Sequence, residues 1–512
     1  MRGRCKVFRT LLATFILAIA RVGSPEAAVC QQLTELALPD TKITLAEVVA
    51  AGSFTPPVTT SASLPQGFSR LPTFCRVAGT MRPTANSDIR FEVWMPVSSW
   101  NGKFVGVGNG AWAGSISYAA MIDPLSKGYA TAATDGGHPG DSLDASFAAG
   151  HPEKLADFAH RSSHEMTVVA KSAIAAFYGR KAHRSMFVSC STGGRQGLME
   201  AYRYPEDYDA ISAMAPANPM VALMVSSLWT GSAVLKEPDS RLPPAKLDFI
   251  HRAVLQACDA DDGVKDGIVS APRRCRFDPA VLQCKDKQTA ECLTTQQVAA
   301  MRAIYEGPRN PRTGRSIFPG FERGSETGLS IQLSGPEPFP AVTSYFRHLV
   351  FNDPTWDFRH FDYDEDVARA LKAHSGLVDI PPSGLDRYLA SGRKLLLSHG
   401  WADPLIPPLT SVNFYNDLLA HFGSSQSSNA RLFMIPGMGH CQGGDGPYVF
   451  DVIGTLDRWA QTGVAPERIV VSNPPNAPAR SRPICPYPKE VHSGTGSSDQ
   501  ANNFRCEMPD TE

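Results

Sequence analysis

A serine within a run of small residues could act as a nucleophile. Ser191 directly follows the strand predicted over Arg184–Ser189. A nucleophilic serine at a sharp strand-to-helix turn needs small neighbours, and the usual pattern is Gly-x-Ser-x-Gly. Here Ser189 stands in place of the first glycine and Gly193 supplies the second. The N–H of Thr192 could stabilise an oxyanion beside the serine, whereas a plain small-residue turn is the alternative.

Two further residues could complete such a site. Asp403 follows the strand predicted over Arg393–Ser398, and His440 follows the strand predicted over Ala430–Ile435. An aspartate can orient a histidine, and the histidine can take the serine proton as a general base. Taken alone, the aspartate could be a turn cap and the histidine a structural loop residue. The order serine, aspartate, histidine is that of α/β-hydrolases, so we expect Ser191 to meet both at one sheet edge.

A glycine-rich loop could supply a second oxyanion donor. The stretch 106–112 follows the strand predicted over Gly102–Val107, and its glycines let backbone N–H groups approach a ligand. Gly110 is the preferred donor and Ala111 the neighbouring candidate, with a flexible turn as the alternative. The glycine spacing does not match a dinucleotide-binding fingerprint.

The eleven cysteines favour an exported protein with disulfides. Cys5 lies in the predicted export signal, which leaves an even ten. Their spacing suggests four pairs and leaves Cys190 and Cys441, which flank Ser191 and His440; a bridge between these two would place their Cα atoms roughly 5.5–6 Å apart. Connectivity stays open at this stage, and a zinc site is the alternative, although no Cys-x2-4-Cys pair is present. The four suggested pairs are Cys30 with Cys75, Cys258 with Cys275, Cys284 with Cys292, and Cys485 with Cys506.

The N-terminus and the composition bound the class of protein. Residues 1–28 combine basic side chains, the apolar run Leu11–Ala20 and small residues near the end, which predicts a cleaved export signal. The apolar run is shorter than the roughly 20 residues of a membrane anchor, which is the alternative. The net charge of -1 favours neither nucleic acid nor an anionic membrane as a partner. We therefore expect a secreted or periplasmic protein without a membrane span.

The rhythm of strands and helices predicts an α/β fold with a parallel sheet and helices on both faces. Residues 29–217 form the first part of the predicted catalytic domain, and 380–512 form the second part. Between these two parts, strand and helix patterns no longer alternate in residues 218–379, which carry Pro-rich and Gly-rich loops. This change predicts an inserted domain.

An acidic loop in the insertion could hold a calcium ion. Asp259, Asp262 and Asp266 lie on a glycine-bearing loop, and carboxylates interleaved with backbone carbonyls suit a hard cation. The carbonyls of Val264 and Ile268 are the candidate partners. No glutamate ends the loop at the distance of an EF-hand, and a solvated turn is the alternative. We expect a structural Ca2+ beside a bridge from Cys258.

With these residues in place, the chain resembles the tannase and feruloyl esterase family, which includes the mono(2-hydroxyethyl) terephthalate hydrolases. The resemblance covers nearly the whole mature chain and departs at Ser189, where the family commonly has glycine. It implies an α/β-hydrolase fold with a large lid, a lid calcium site and a disulfide between Cys190 and Cys441. The motifs that carry it are Cys190-Ser191-x-Gly193-Gly194-Arg195-Gln196, Gly400-Trp401-Ala402-Asp403-Pro404 and Gly439-His440-Cys441.

The resemblance also implies a serine carboxylic ester hydrolase that acts on small aromatic esters and needs no organic cofactor. Feruloyl and other hydroxycinnamoyl esters from plant cell walls or polyphenols are the default substrates. Galloyl esters and terephthalate monoesters are the alternatives, and a peptidase, an acyltransferase and an inactive calcium-dependent binding module are the rivals. Candidates for acyl-ring contact, with core packing as the alternative, are Tyr345, Phe346, Arg347 and Trp356; candidates for a carboxylate partner are Arg347 and Arg323.

Overall fold

The computed structural model describes residues 25–57, 67–285, 289–423 and 428–509. Most of the predicted export signal, residues 1–24, lies outside the described residues, and residues 25–28 open the first helix. Within the described ranges, no helix has both the length and the apolar character that crossing a bilayer requires.

A nine-stranded sheet forms the centre of the molecule, and two small hairpins follow it in the chain. The strands are β1 Thr41–Val49, β2 Phe74–Met81, β3 Ile89–Pro96, β4 Lys103–Gly106, β5 Ala130–Thr134, β6 Arg184–Cys190, β7 Ala210–Met214, β8 Lys394–Gly400, β9 Ala430–Ile435, β10 Ile469–Ser472, β11 Ser481–Ile484, β12 Glu490–Ser493 and β13 Phe504–Glu507. The order in the main sheet is β1-β2-β3-β5-β4-β6-β7-β8-β9.

The sheet is mixed, which corrects the prediction of a parallel sheet. The pairs β1–β2, β2–β3 and β3–β5 are antiparallel, whereas every pair from β5–β4 to β8–β9 is parallel. No helix separates β2 from β3, and a short connection can only return the chain antiparallel. The parallel half is buried on both faces, as the fully buried run Leu395–Leu397 of β8 illustrates.

Fourteen α-helices lie within the described residues, and their ends follow local signals. Thr294 and Gln297 form a reciprocal capping box at the start of one of them, and Gly179 ends another in the left-handed conformation. They are α1 Pro25–Gln32, α2 Ile122–Ser126, α3 Pro152–Ala156, α4 Ser162–Tyr178, α5 Thr192–Arg203, α6 Met220–Leu235, α7 Pro244–Cys258, α8 Thr295–Glu306, α9 Ser330–Leu333, α10 Pro340–Ser344, α11 Glu365–Val378, α12 Asp386–Ala390, α13 Leu409–Phe422 and α14 Val452–Thr462.

Helices cover both faces of the sheet. Apolar side chains of α4, α5 and α13 pack on one face, and those of α2 and α14 pack on the other. Between β7 and β8 the described chain adds no strand to the main sheet and forms α6 to α12 instead. This helical segment contains residues 218–379, where the sequence predicts an insertion. It packs around one apolar cluster of its own and around a second that it shares with residues 112–159.

Five disulfides join all ten cysteines after Cys5. Four of them are the pairs that the spacing suggested: Cys30–Cys75, Cys258–Cys275, Cys284–Cys292 and Cys485–Cys506. The fifth lies at the carboxyl edge of the sheet.

Candidate active site

Ser191 occupies a sharp turn between β6 and α5. Its backbone angles are φ 63° and ψ -128°, a conformation that side-chain-bearing residues rarely adopt and that is common at functional sites. Its N–H donates to the Met214 carbonyl at 3.0 Å, and its own carbonyl accepts from Arg195 and Ala217. These bonds hold the strained turn that the sequence predicts for a nucleophilic serine.

Ser189 fits the turn because Gly193 has no side chain. A Cβ built at Gly193 would lie 2.0 Å from Ser189 Oγ and 2.7 Å from Ser189 Cβ. The N–H of Gly193 also donates to the Asn109 carbonyl at 2.7 Å. The Ser189 side chain therefore occupies space that is available only because residue 193 is a glycine.

Asp403 lies just past the end of β8 and is fully buried. Its Oδ1 accepts the N–H groups of Leu405 and Ile406 at 2.8 and 2.9 Å, and its Oδ2 accepts from His440 Nδ1 at 2.7 Å. Burial alone would raise the pKa of this carboxyl, but the charge of His440 and the hydrogen bonds from it and from His399 outweigh burial. The net pKa of Asp403 lies well below its usual range, so the carboxylate is ionised.

His440 follows β9 and faces the same space as Ser191. Burial lowers the pKa of the imidazole, but the charge and the hydrogen bond of Asp403 outweigh it, so the net pKa is raised above the ordinary value. Within the described chain, no hydrogen bond joins Ser191 Oγ to this ring; both side chains line one cavity. Such bonds are often long before substrate binds.

A disulfide joins the serine turn to the histidine loop. Cys190 and Cys441 are bonded, and their Cα atoms are 6.1 Å apart. Because they are the immediate neighbours of Ser191 and His440, the bond keeps these two residues on adjacent loops.

Backbone N–H groups from two loops are available near Ser191. Those of Gly110, Ala111 and Thr192 donate to no acceptor among the described residues, and a Cβ at Gly110 would meet nothing within 4 Å. The Thr192 hydroxyl donates to the Ala111 carbonyl at 2.7 Å, which links the two loops.

Sequence reasoning missed the residues that hold the glycine-rich loop in place. Gln196 Oε1 accepts the Asn109 N–H at 2.9 Å, and Gln196 Nε2 donates to Asn109 Oδ1 at 3.0 Å. Asn109 Nδ2 in turn donates to the Thr134 carbonyl at 2.7 Å. The sequence feature that could have indicated these hydrogen bonds is the amide side chain of Gln196 in the serine motif.

The cavity at Ser191 has a volume of about 630 Å³ and an apolar wall, within the range of small-molecule sites. Among the described lining residues, His440 is the one with an ionisable side chain. The apolar wall comes from α6, from the turn into α10 and from the loop after Asp403: Met220, Leu223, Met224, Phe339, Val342, Leu405 and Ile406.

The side chains proposed for acyl-ring contact lie elsewhere, which corrects that expectation. Tyr345 and Phe346 are buried in the helical segment, and Trp356 packs on Phe346. Arg347 donates to the Trp356 carbonyl and to Glu337, and Arg323 stacks over Tyr305. None of these lines the cavity, because the rings of Tyr345 and Phe346 pack into an apolar cluster beside it, where Tyr345 stacks on Trp112.

The predicted calcium loop is an ordered turn with three inward carboxylates. Asp259 accepts the N–H groups of Asp266, Gly267 and Ile268, and Asp262 accepts that of Val264. These bonds fix the conformation of the loop.

One of the loop carboxylates keeps unused capacity for a cation. Asp266 Oδ1 is buried without a hydrogen-bond partner, while Oδ2 pairs with Arg482. Burial, with Asp266 and Asp259 nearby, raises the pKa of Asp262. The carboxylate and carbonyl oxygens of the loop are ligands of the kind that Ca2+ prefers. The loop carboxylates are spaced more widely than the ligand atoms of His164, Glu200 and Asp207, which lie within 4.8 Å of one another elsewhere in the described residues.

Comparison with known proteins shows similarity along almost the whole chain. The model of the family described as tannase and feruloyl esterase matches residues 75–507. An uncharacterized esterase of Xanthomonas campestris pv. campestris is 37% identical, covering 99% of this chain and 95% of that protein. A probable feruloyl esterase B-2 of Aspergillus flavus is 33% identical, covering 91% and 93%. The crystal structure of feruloyl esterase B from Aspergillus oryzae superposes with a TM-score of 0.86 at 26% identity, covering 94% of this chain and 100% of that one.

Proposed function

Because the chain belongs to the tannase and feruloyl esterase family and is a carboxylic ester hydrolase, we propose that Ser191, His440 and Asp403 form its catalytic triad. The observation that carries this is the 2.7 Å hydrogen bond from His440 Nδ1 to the buried Asp403 carboxylate, together with the cavity that His440 and Ser191 both line. The mixed sheet then belongs to an α/β-hydrolase fold, with residues 218–379 as its lid.

The reaction is acyl transfer through a covalent intermediate. Ser191 Oγ attacks the ester carbonyl carbon while His440 Nε2 takes the hydroxyl proton, and the carbonyl electron pair moves onto its oxygen. The N–H groups of Thr192 and Gly110 stabilise that oxyanion. Collapse breaks the bond to the alcohol, which leaves with the proton from His440. Water then attacks the acyl-enzyme by the same steps and releases the acid and Ser191.

Asp403 determines which nitrogen of His440 acts as the base. Because the carboxylate accepts from Nδ1–H, the lone pair is on Nε2, and the carboxylate stabilises the cation that forms during attack. The two backbone N–H groups on Oδ1 keep the carboxylate ionised and oriented.

The acyl group is an uncharged aromatic one of the feruloyl or hydroxycinnamoyl type. The apolar wall contributed by the lid helix α6 and by Phe339 suits an aromatic ring. A terephthalate monoester would carry a free carboxylate, and the described lining offers it no Arg or Lys side chain. Galloyl esters, with an uncharged but more polar ring, are the second candidate. The similarity to a probable feruloyl esterase B-2 and to feruloyl esterase B supports feruloyl esters as the first candidate.

A structural calcium ion completes the lid. The side chains of Asp259, Asp262 and Asp266 and the carbonyls of Val264 and Ile268 would hold it. The ion would neutralise carboxylates that otherwise repel one another and would stabilise the loop beside the Cys258–Cys275 bridge. The partnerless Oδ1 of Asp266 supports this assignment.

The protein works outside the cytoplasm, secreted or in the periplasm. Five disulfides support an oxidising compartment, and the basic and apolar pattern of residues 1–28 supports export.

The test is a substrate panel with a matched nucleophile variant. Purified protein should hydrolyse methyl ferulate and chlorogenate faster than galloyl esters, and a peptide anilide should remain uncleaved. Ser191→Ala should abolish turnover while keeping the melting temperature. A fluorophosphonate probe should add its mass at Ser191 in the wild type and not in the variant. Turnover without labelling at Ser191 would overturn the triad, and a folded protein that neither labels nor turns over any ester would favour a binding module.

A further inference from the structure

A second histidine contacts the carboxylate of Asp403. His399 lies on β8 and is fully buried. Its Nε2 is 3.1 Å from Asp403 Oδ2 and 3.1 Å from the Ile406 carbonyl oxygen, and its Nδ1 is 2.7 Å from Ser411 Oγ. Oδ2 is the same oxygen that accepts from His440, so two imidazoles share one atom.

The partners of His399 determine its tautomer. Nε2 faces a carboxylate oxygen and a carbonyl oxygen, which both only accept, so Nε2 carries the proton. Nδ1 then accepts from the hydroxyl of Ser411, a buried residue of α13. By donating to Nδ1, the Ser411 hydroxyl favours the tautomer that donates to Asp403.

We propose that His399 is a positioning residue for the triad, acting on His440 through the shared Oδ2 of Asp403. The inference rests on the proposed function, since it needs Asp403 and His440 to be catalytic. It assigns two roles to the Nε2–H of His399: it fixes the rotation of the carboxylate, and it withdraws part of the negative charge that would otherwise act on His440 alone.

The second role predicts the direction in which the pH dependence of activity moves when the His399 donor is lost. A carboxylate that loses a donor becomes more basic and stabilises a neighbouring cation more strongly. Without the His399 donor, Asp403 would hold the His440 imidazolium more tightly, and the histidine would become an available base only at higher pH. The titratable groups that act on Asp403 are His440 and His399, and the titratable group that acts on His440 is Asp403.

Three variants separate positioning from packing. His399→Leu introduces an apolar side chain of similar size that has no donor, whereas His399→Gln can place an amide N–H near the position of Nε2. Ser411→Ala leaves the imidazole in place and removes only the hydroxyl that selects its tautomer. The measurement is kcat and KM for methyl ferulate from pH 5 to 9, together with the melting temperature.

We expect His399→Leu to lower kcat by about tenfold to a hundredfold, as misplaced catalytic groups do, with little change in KM. Its acid limb should move to higher pH. His399→Gln should recover most of the rate and the wild-type limb, and Ser411→Ala should show a smaller change in the same direction. If His399→Leu does not fold, Ser411→Ala carries the test by itself.

A folded His399→Leu variant with wild-type kcat and an unmoved acid limb would overturn the inference, as would a lower melting temperature of that variant with an unmoved limb; if His399→Leu does not fold, the same outcomes in Ser411→Ala overturn it. The proposed triad fails separately, through Ser191→Ala: activity that survives in that variant overturns the triad, and with it the role of His399.

Discussion

Cys190 and Cys441 are bonded with their Cα atoms 6.1 Å apart, although 251 positions separate them in the chain. Cys190 is the last residue of β6 and Cys441 lies in the loop after β9, and β7 and β8 lie between these two strands in the sheet. Ser191 follows the first cysteine and His440 precedes the second. The bond therefore spans the carboxyl edge of the sheet and limits how far the proposed nucleophile and its base can separate.

Removing this bond should lower the activity of a protein that still folds. In Cys190→Ala with Cys441→Ala, we expect kcat for methyl ferulate to fall by at least about tenfold, since displaced catalytic groups lose rate steeply. The unfolding temperature should also fall, because a bridge across so long a loop contributes about 5 kcal/mol in the chain-entropy model.

The matched control is Cys284→Ala with Cys292→Ala. That bridge closes a separation of 8 residues in the helical segment, and neither cysteine lines the cavity, so its loss should leave kcat unchanged. Full turnover in the Cys190 and Cys441 double variant would contradict the account of the bridge.

The pH dependence should follow the raised pKa of His440. The histidine must be neutral to accept the Ser191 proton, so activity falls as pH drops through its pKa. Because Asp403 raises that pKa, the acid limb of kcat/KM should lie above about pH 6.5, the ordinary value for histidine. Asp403→Asn should lower kcat by about three to four orders of magnitude, as in other triads. An acid limb at or below the ordinary value would show that Asp403 does not act on the free enzyme.

The fit between Ser189 and Gly193 should appear as coupling between two substitutions. Gly193→Ala places a Cβ 2.0 Å from Ser189 Oγ, and we expect overpacking to cost about 1–3 kcal/mol of unfolding free energy, with reduced activity. Ser189→Gly alone should be nearly neutral. Combined with Gly193→Ala, it should recover part of the loss, with the Asn109 carbonyl at 3.1 Å still limiting the fit. Additive losses in denaturant unfolding would be the contrary result.

The apolar wall of the cavity should discriminate against charged acyl groups. Monomethyl terephthalate must lose the hydration of its carboxylate without finding a cation, whereas dimethyl terephthalate has the same ring and no charge. We expect kcat/KM for the dimethyl ester to exceed that for the monoester by at least about tenfold. Equal values, measured by product release at one pH, would mean that a cation reaches the pocket.

Chelation should destabilise the lid if the acidic loop binds Ca2+. Adding a chelator should lower the melting temperature by a few degrees, and excess Ca2+ should restore it, because an ion that binds only the folded state stabilises it by mass action. Asp262→Asn should weaken this response. Asp261→Asn is the matched control, since Asp261 is exposed on the same loop. A melting temperature insensitive to both chelator and Ca2+ would remove the calcium proposal.

The sequence alone determined the elements that carry the site. Gly and small residues around Ser191, and loops after strands at Asp403 and His440, are local signals, because turn geometry restricts residue type within a few positions. The even cysteine count after Cys5 and the cysteine spacing indicated the disulfide pairs. The strand Ala430–Ile435 has the bounds that its pattern predicts.

Only the tertiary structure decided which side chains meet across the sheet. The antiparallel pairing of β3 with β5, the apolar wall from α6 and the burial of Tyr345 and Phe346 outside the cavity lining depend on packing between distant segments. His399 shows the limit most clearly, since it looks like an ordinary strand residue in the sequence. Its contact with Asp403 arises because β8 ends in a turn that folds the carboxylate back over the strand, and local residue patterns do not encode that direction.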